Sequence, residues 1–158
     1  MDTQIKVCTI VENDNKVLLI KEWSDNKNGH YWNIIKGTFN STLDKNLIDT
    51  AKREAVEEAC ADISITNYLG IIIKYGFSIR IYVSLVGVLK KGKPHIPPKK
   101  EQQQRKEDII EMKWFTQDEL KDLKEEEFIN DVAFDVINRW LANDIYPLSL
   151  LTEKNLSS

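Results

Sequence analysis

Hydrophobic and polar positions divide the chain into segments with two distinct periods. β-Branched and aliphatic residues dominate 5–11 and 16–22, and the Asn13-Asp14-Asn15 triplet between them predicts a tight hairpin turn. A polar stretch, 24–29, leads into a short strand at 31–35 that stops at Gly37. Residues 38–45 read as loop. The period then becomes helical over 46–60. Leu47, Ala51, Ala55 and Ala59 recur at four-residue spacing as a narrow stripe of small side chains, and Asn46 followed by Asp49 suits an N-cap.

Two long runs, 63–75 and 77–89, pivot near Gly76 and form the strongest strand pair of the sequence. Residues 90–106 read as a polar, mobile loop, with three of the four prolines and three consecutive glutamines. A last strand is expected at 109–115, followed by a helix that opens on the capping-box pattern Thr116-Gln117-Asp118-Glu119. Phe128, Val132, Val136, Ile137, Trp140 and Leu141 mark an amphipathic C-terminal helix. The expectation is one domain over 1–144 and a loosely held tail over 145–158. Strands, helix, strands and helices in that order predict an α+β fold with a mixed sheet between helices.

Composition narrows the function classes. A chain of 158 residues, 42% hydrophobic and 30% charged, suits a single folded domain. Its net charge of −3 excludes a globally basic nucleic-acid binder. No apolar run approaches the ~20 residues of a membrane span, and the first residues do not read as a secretory signal. Cys8 and Cys60 sit in no CxxC pair, so a reducing, cytoplasmic setting is expected.

The chemistry concentrates in Arg53-Glu54-Ala55-Val56-Glu57-Glu58. On a helix, Glu54, Glu57 and Glu58 share an arc of roughly 100°. Like charges so placed repel by a few tenths of a kcal/mol per pair, unless a divalent cation with a taste for hard oxygen ligands reverses the sign. The plain alternative is a solvated charged face.

Around this segment stand Val17-Leu18-Leu19-Ile20, Trp32-Asn33-Ile34-Ile35-Lys36-Gly37, and downstream the strand ending Lys113-Trp114-Phe115 with Asp118-Glu119-Leu120 after it. The order resembles the Nudix hydrolases, whose signature runs from a glycine through a glutamate to Arg-Glu-aliphatic-x-Glu-Glu-x-Gly-aliphatic. The resemblance covers roughly residues 4–140. It departs from the signature in three places. The interval from Gly37 to Arg53 is two residues longer than the pattern, so the pattern's first glutamate falls near Asp44 or Lys45, of which only Asp44 is acidic. The glycine after the glutamate pair is Cys60, and the aliphatic positions are Ala55 and Ala61.

The resemblance implies a Nudix-like α/β/α sandwich and Mg²⁺-dependent attack of water on one phosphorus of a nucleoside diphosphate linked to another group, with Mn²⁺ as a substitute cation. It implies metal-binding roles for Glu54, Glu57 and Glu58, for the carbonyl of Lys36, and for a loop carboxylate, Glu107 or Asp108, with Glu101 as a further candidate. In the family the first glutamate pairs with the arginine matched by Arg53. The general base is Glu54 or a loop carboxylate. Trp32, Tyr75 and Phe77 are candidates to stack on a base or to pack in the core, and Arg80 to face a phosphate or the solvent. Basic residues of the 90–106 loop read either as a polyphosphate lure or as a solvated surface. Two rival functions stay open: a nucleotide-binding domain with little turnover, and an interaction domain with no small-molecule site. Whether the protein acts as a monomer or a homodimer also stays open.

Overall fold

Residues 2–156 are described by the computed structural model of the chain. Residue 1 of the expected domain and residues 157 and 158 of the expected tail lie outside them. β1 (Thr3–Asn13) and β2 (Lys16–Ser24) are joined by Asp14 and Asn15, whose φ angles are 48° and 59°. Two successive positive φ values are what a two-residue hairpin turn demands, and Asp and Asn tolerate them. The strand expected at 31–35 is two strands, β3 (Gly29–Asn33) and β4 (Ile35–Thr38). The chain breaks at fully buried Ile34, so that β3 pairs with β2 while β4 crosses to pair with β1.

The helix α1 (Leu47–Ala59) begins where the periodicity puts it, with the Asn46 side chain accepting from the Asp49 N–H at 2.8 Å. β5 (Asp62–Lys74) and β6 (Ile79–Lys91) form the long antiparallel pair. Then follow α2 (Lys99–Arg105), β7 (Ile109–Phe115), α3 (Gln117–Asp122), α4 (Asp131–Leu141) and β8 (Tyr146–Pro147). The Thr116 capping box forms as its sequence pattern requires.

The strands make one mixed sheet in the order β3-β2-β1-β6-β5-β8, with β4 beside β1 and β7 beside β2. β1 and β6 run parallel; every other pairing is antiparallel. Alternation along β1 sends Val7 and Val11 to one face and Cys8 and Ile10 to the other. Ala51, Ala55 and Ala59 of α1 pack on the first face with Leu18, Ile20, Ile35, Val83 and Leu85. Val132, Val136, Ile137 and Trp140 of α4 cover the second face with Leu19, Trp32, Tyr82 and Phe115. The α/β/α sandwich is therefore the architecture that forms.

Two segments differ from expectation. The stretch 90–106 is not all loop: α2 forms because Gln102 is buried, accepting the Ile109 N–H at 2.7 Å and donating to the Pro97 carbonyl at 2.8 Å. The described part of the segment from residue 145 is held at two points. β8 pairs with β5 through Asn67 and Tyr68, and Glu153 accepts from the Leu47 N–H at 2.9 Å. No helix among the described residues is long and apolar enough to cross a membrane.

Candidate active site

The short strand β4 brings the acids of α1 against the sheet. Gly37 is essential to that approach: a Cβ built there lies 1.8 Å from the Glu54 carboxylate. Glu58 points to the same strand and accepts from the Lys36 N–H at 3.2 Å. Behind both acids, the alanine stripe lets α1 sit close to the sheet. Glu54 and Glu58 are consequently buried, while Glu57 is partly exposed.

Arg53 organises the outer part of this group. It donates to Asp44 Oδ1 through Nε and to Oδ2 through Nη2, both at 2.8 Å, and Nη1 reaches Glu54 at 2.7 Å and Glu57 at 3.3 Å. The Asp44 carboxylate also accepts from Thr50 Oγ1 and the Asn40 N–H. Asp44 is thus the acid that partners Arg53.

A cavity of about 570 Å³ opens beside these residues, lined by Thr38, Phe39, Asn40, Arg53, Glu54, Glu57, Arg105 and Glu107, among others. Its far wall comes from α2 and the turn after it. Arg105 donates to the Glu57 carbonyl at 2.7 Å and to Glu107 at 3.2 Å, bridging the two sides.

Electrostatics follow from this crowding. Burial, reinforced by Glu57 and Glu107, lifts the Glu54 carboxyl to about 7 against the pull of Arg53. Burial, then Glu22 and Glu54, pushes Glu58 well above the usual carboxylate range. Burial also raises Glu107. Asp44 is held below its ordinary range, chiefly by the Arg53 hydrogen bonds.

Sequence reasoning overlooked Glu22. It stands on β2, is raised by burial, and accepts from Asn33 Nδ2 at 2.6 Å. A signal was present: Leu18 and Ile20 face α1, so period two sends the next side chain of that row, an acid, to the same side. A bulge in the β2–β7 pairing at Lys21 and Glu22 accompanies it. Arg105, expected among the basic residues of the 90–106 loop as a polyphosphate lure or a solvated surface, is instead bonded to the Glu57 carbonyl and to Glu107.

The other candidates separate. Of the two loop acids, Glu107 lines the cavity, whereas Asp108 is turned to His30 at 2.9 Å. Trp32 is buried edge-on to Phe115 with centroids 4.8 Å apart, in the core beneath α4. Tyr75, Phe77 and Arg80 line a separate groove at the β5–β6 turn.

Carboxylates and a strand carbonyl are hard oxygen donors, the set that suits Mg²⁺ or Mn²⁺. Among the described residues no three acids, cysteines or histidines form a ready-made cage, and Arg53 engages Glu54 and Glu57. The NUDIX domain profile matches residues 2–135.

The chain belongs to the NUDIX family.

At the level of the family, membership supports hydrolysis of pyrophosphate bonds. No curated protein matches this NUDIX chain. Among solved structures it is similar to a NUDIX hydrolase from Nitrosomonas europaea, with a TM-score of 0.76 and 19% identity over 97% of this chain and 98% of that one. A MutT NUDIX hydrolase from Burkholderia pseudomallei gives 0.66 at 15% identity, covering 88% and 98%. The NUDIX domain of Shewanella oneidensis NrtR, complexed with ADP ribose, gives 0.65 at 14%, covering 90% and 88%. At these identities the likeness concerns the NUDIX fold.

Proposed function

We propose that this NUDIX protein is a divalent-cation-dependent hydrolase of a nucleoside diphosphate linked to a second group. The observation that carries the reading is the placement of Glu54, Glu57 and Glu58 between β4 and the cavity, with Gly37 making room for the Glu54 carboxylate. Glu54, Glu57, Glu58, the Lys36 carbonyl and Glu107 are the residues that would hold Mg²⁺ or Mn²⁺. The cation, when bound, neutralises charge on the pyrophosphate and its leaving oxygen.

The chain's own groups do the rest. A water oxygen attacks one phosphorus, the anhydride P–O bond on the far side breaks, and the leaving phosphate carries away the electron pair. The water proton passes to Glu54, whose carboxyl is lifted to about 7 and so suits a base near neutral pH, or to Glu107, which burial also raises. Arg53 keeps Glu54 and Glu57 in place through Asp44, and Arg105 ties Glu107 to the end of α1.

The test is a substrate panel of ADP-ribose, dinucleoside polyphosphates and nucleoside triphosphates, read as released mononucleotide or phosphate. Turnover is expected with Mg²⁺, and a loss of about 10²-fold or more in Glu57→Gln with the fold intact by circular dichroism. Full turnover in excess chelator would overturn the proposal. A second reading, a nucleotide-binding domain with little turnover, draws on Arg53 occupying Glu54 and Glu57. Calorimetric binding of nucleotides with no product across the panel selects it.

A further inference from the structure

Glu107 lines two cavities. One is the candidate active site; the other, of about 610 Å³, lies between α2 and β7. A space of that size holds a small organic group. Because the two cavities share a wall residue, a group joined to a pyrophosphate in the first is within reach of the second.

One buried amide fixes the walls of the second cavity. Gln102 donates to the Pro97 carbonyl at 2.8 Å and accepts from the Ile109 N–H at 2.7 Å, so a single side chain ties the segment ahead of α2 to the start of β7. Two residues before Pro97, the His95 N–H donates to the Ala59 carbonyl at 3.0 Å. That bond anchors the cavity wall to the end of α1, the helix that carries Glu54, Glu57 and Glu58. Walls held in this way need little ordering when a ligand enters.

The lining selects what can enter. Ile96, Pro97, Ile109 and Ile110 supply aliphatic surface, and Ile96 and Ile110 leave 37% and 52% of theirs exposed. Most polar neighbours are already engaged. Gln102 is bonded to backbone, Glu107 to Arg105 at 3.2 Å and Asp108 to His30 at 2.9 Å, which leaves the exposed Lys99 and Gln103. Among the described residues no aromatic ring lines the cavity, so a base has nothing to stack on. A sugar would trade water for few free partners. A run of methylenes loses no hydrogen bonds on entry and gains by leaving water.

We infer that the cavity between α2 and β7 binds an aliphatic chain, carried by the substrate as the second group on its diphosphate, with Glu107 at the junction. Ile96 and Ile110 are then specificity-determining residues. The inference rests on the hydrolase reading for what the chain is attached to; the cavity and its lining stand on their own geometry.

The experiment is titration calorimetry in chelator with the methyl, butyl and octyl esters of ADP, on the wild-type protein and the double variant I96S/I110S. Each methylene taken fully out of water is worth about fourfold in affinity, so wild type is expected to bind the octyl ester about tenfold or more tightly than the methyl ester. Both substituted side chains are exposed, and the variant is expected to keep the wild-type affinity for the methyl ester while losing most of the chain-length preference. Equal binding of the three esters by wild type overturns the inference. So does a preference that survives in I96S/I110S, which would place the chain on another apolar surface. Because chelator suppresses turnover, a chain-length preference without product in the substrate panel sinks only the hydrolase reading, and product without a preference sinks only this one.

Discussion

Asp44 and Arg53 meet through two parallel hydrogen bonds of 2.8 Å, and the Asp44 carboxylate is the more deeply buried partner. The loop from Gly37 to Arg53 is two residues longer than the family pattern, and Asp44 has one methylene fewer than the glutamate of that pattern. The longer loop brings the shorter acid to the guanidinium. Thr50 and the Asn40 N–H fix the carboxylate there.

Removing that acid frees Arg53 to collapse wholly onto Glu54 and Glu57. Asp44→Ala is expected to cost about 2–4 kcal/mol in denaturant unfolding, since it strands a partly buried guanidinium and the Thr50 hydroxyl. Hydrolysis is expected to fall with it. Unchanged stability would mean that the pair is ornamental.

Gly37→Ala tests the close approach of α1 to β4. Its methyl group would overlap the Glu54 carboxylate, so either the acid or the strand must move. The expected result is destabilisation of about 1–3 kcal/mol and turnover reduced by ~10²-fold. Near-normal kinetics would show that Glu54 has no fixed position to defend.

Stability of the metal-free protein should depend on pH with an unusual sign. Glu22, Glu54, Glu58 and Glu107 all have raised proton affinities in the fold. Between the ordinary value of ~4.3 and their folded values, the native state binds more protons than the unfolded chain, so stability rises as pH falls. Asp44 and Asp131 are depressed, so their contribution disappears only as pH drops through values below ~3.9. Denaturation in chelator is expected to show greater stability at about pH 5 than at about pH 8. The reverse order would contradict the buried acid cluster.

Gln102→Ala probes α2. The substitution leaves the Ile109 N–H without its side-chain acceptor and loosens the turn that carries Glu107. A loss of about 1–3 kcal/mol is expected, with a fall in turnover that tracks the displacement of Glu107 and Arg105. If only stability changes, Glu107 takes no part in the reaction.

Cys60 ends α1 in the left-handed region at φ 49° and ψ 36°, which a glycine adopts without steric penalty. Cys60→Gly is therefore expected to leave turnover intact and raise stability by up to ~1 kcal/mol. A clear loss of stability would show that the partly buried thiol contributes packing worth more than the backbone strain.

Much of this protein was written locally. Asp14 and Asn15 specify the first hairpin, Asn46 and the alanine stripe specify α1, and Thr116 specifies the start of α3, because turns, caps and helical periodicity act over a few residues. For the same reason Glu54, Glu57 and Glu58 could be placed on one arc from spacing alone. The tertiary structure decided what no short window contains: that Asp44 partners Arg53, that Glu107 and not Asp108 lines the cavity, that Glu22 joins the buried acids, and that Trp32 lies beneath α4. Strand order and register set those neighbours, bringing β4 beside β1 and its Gly37 against Glu54 of α1. Register depends on how all the strands bury their faces at once, so it belongs to the folded whole.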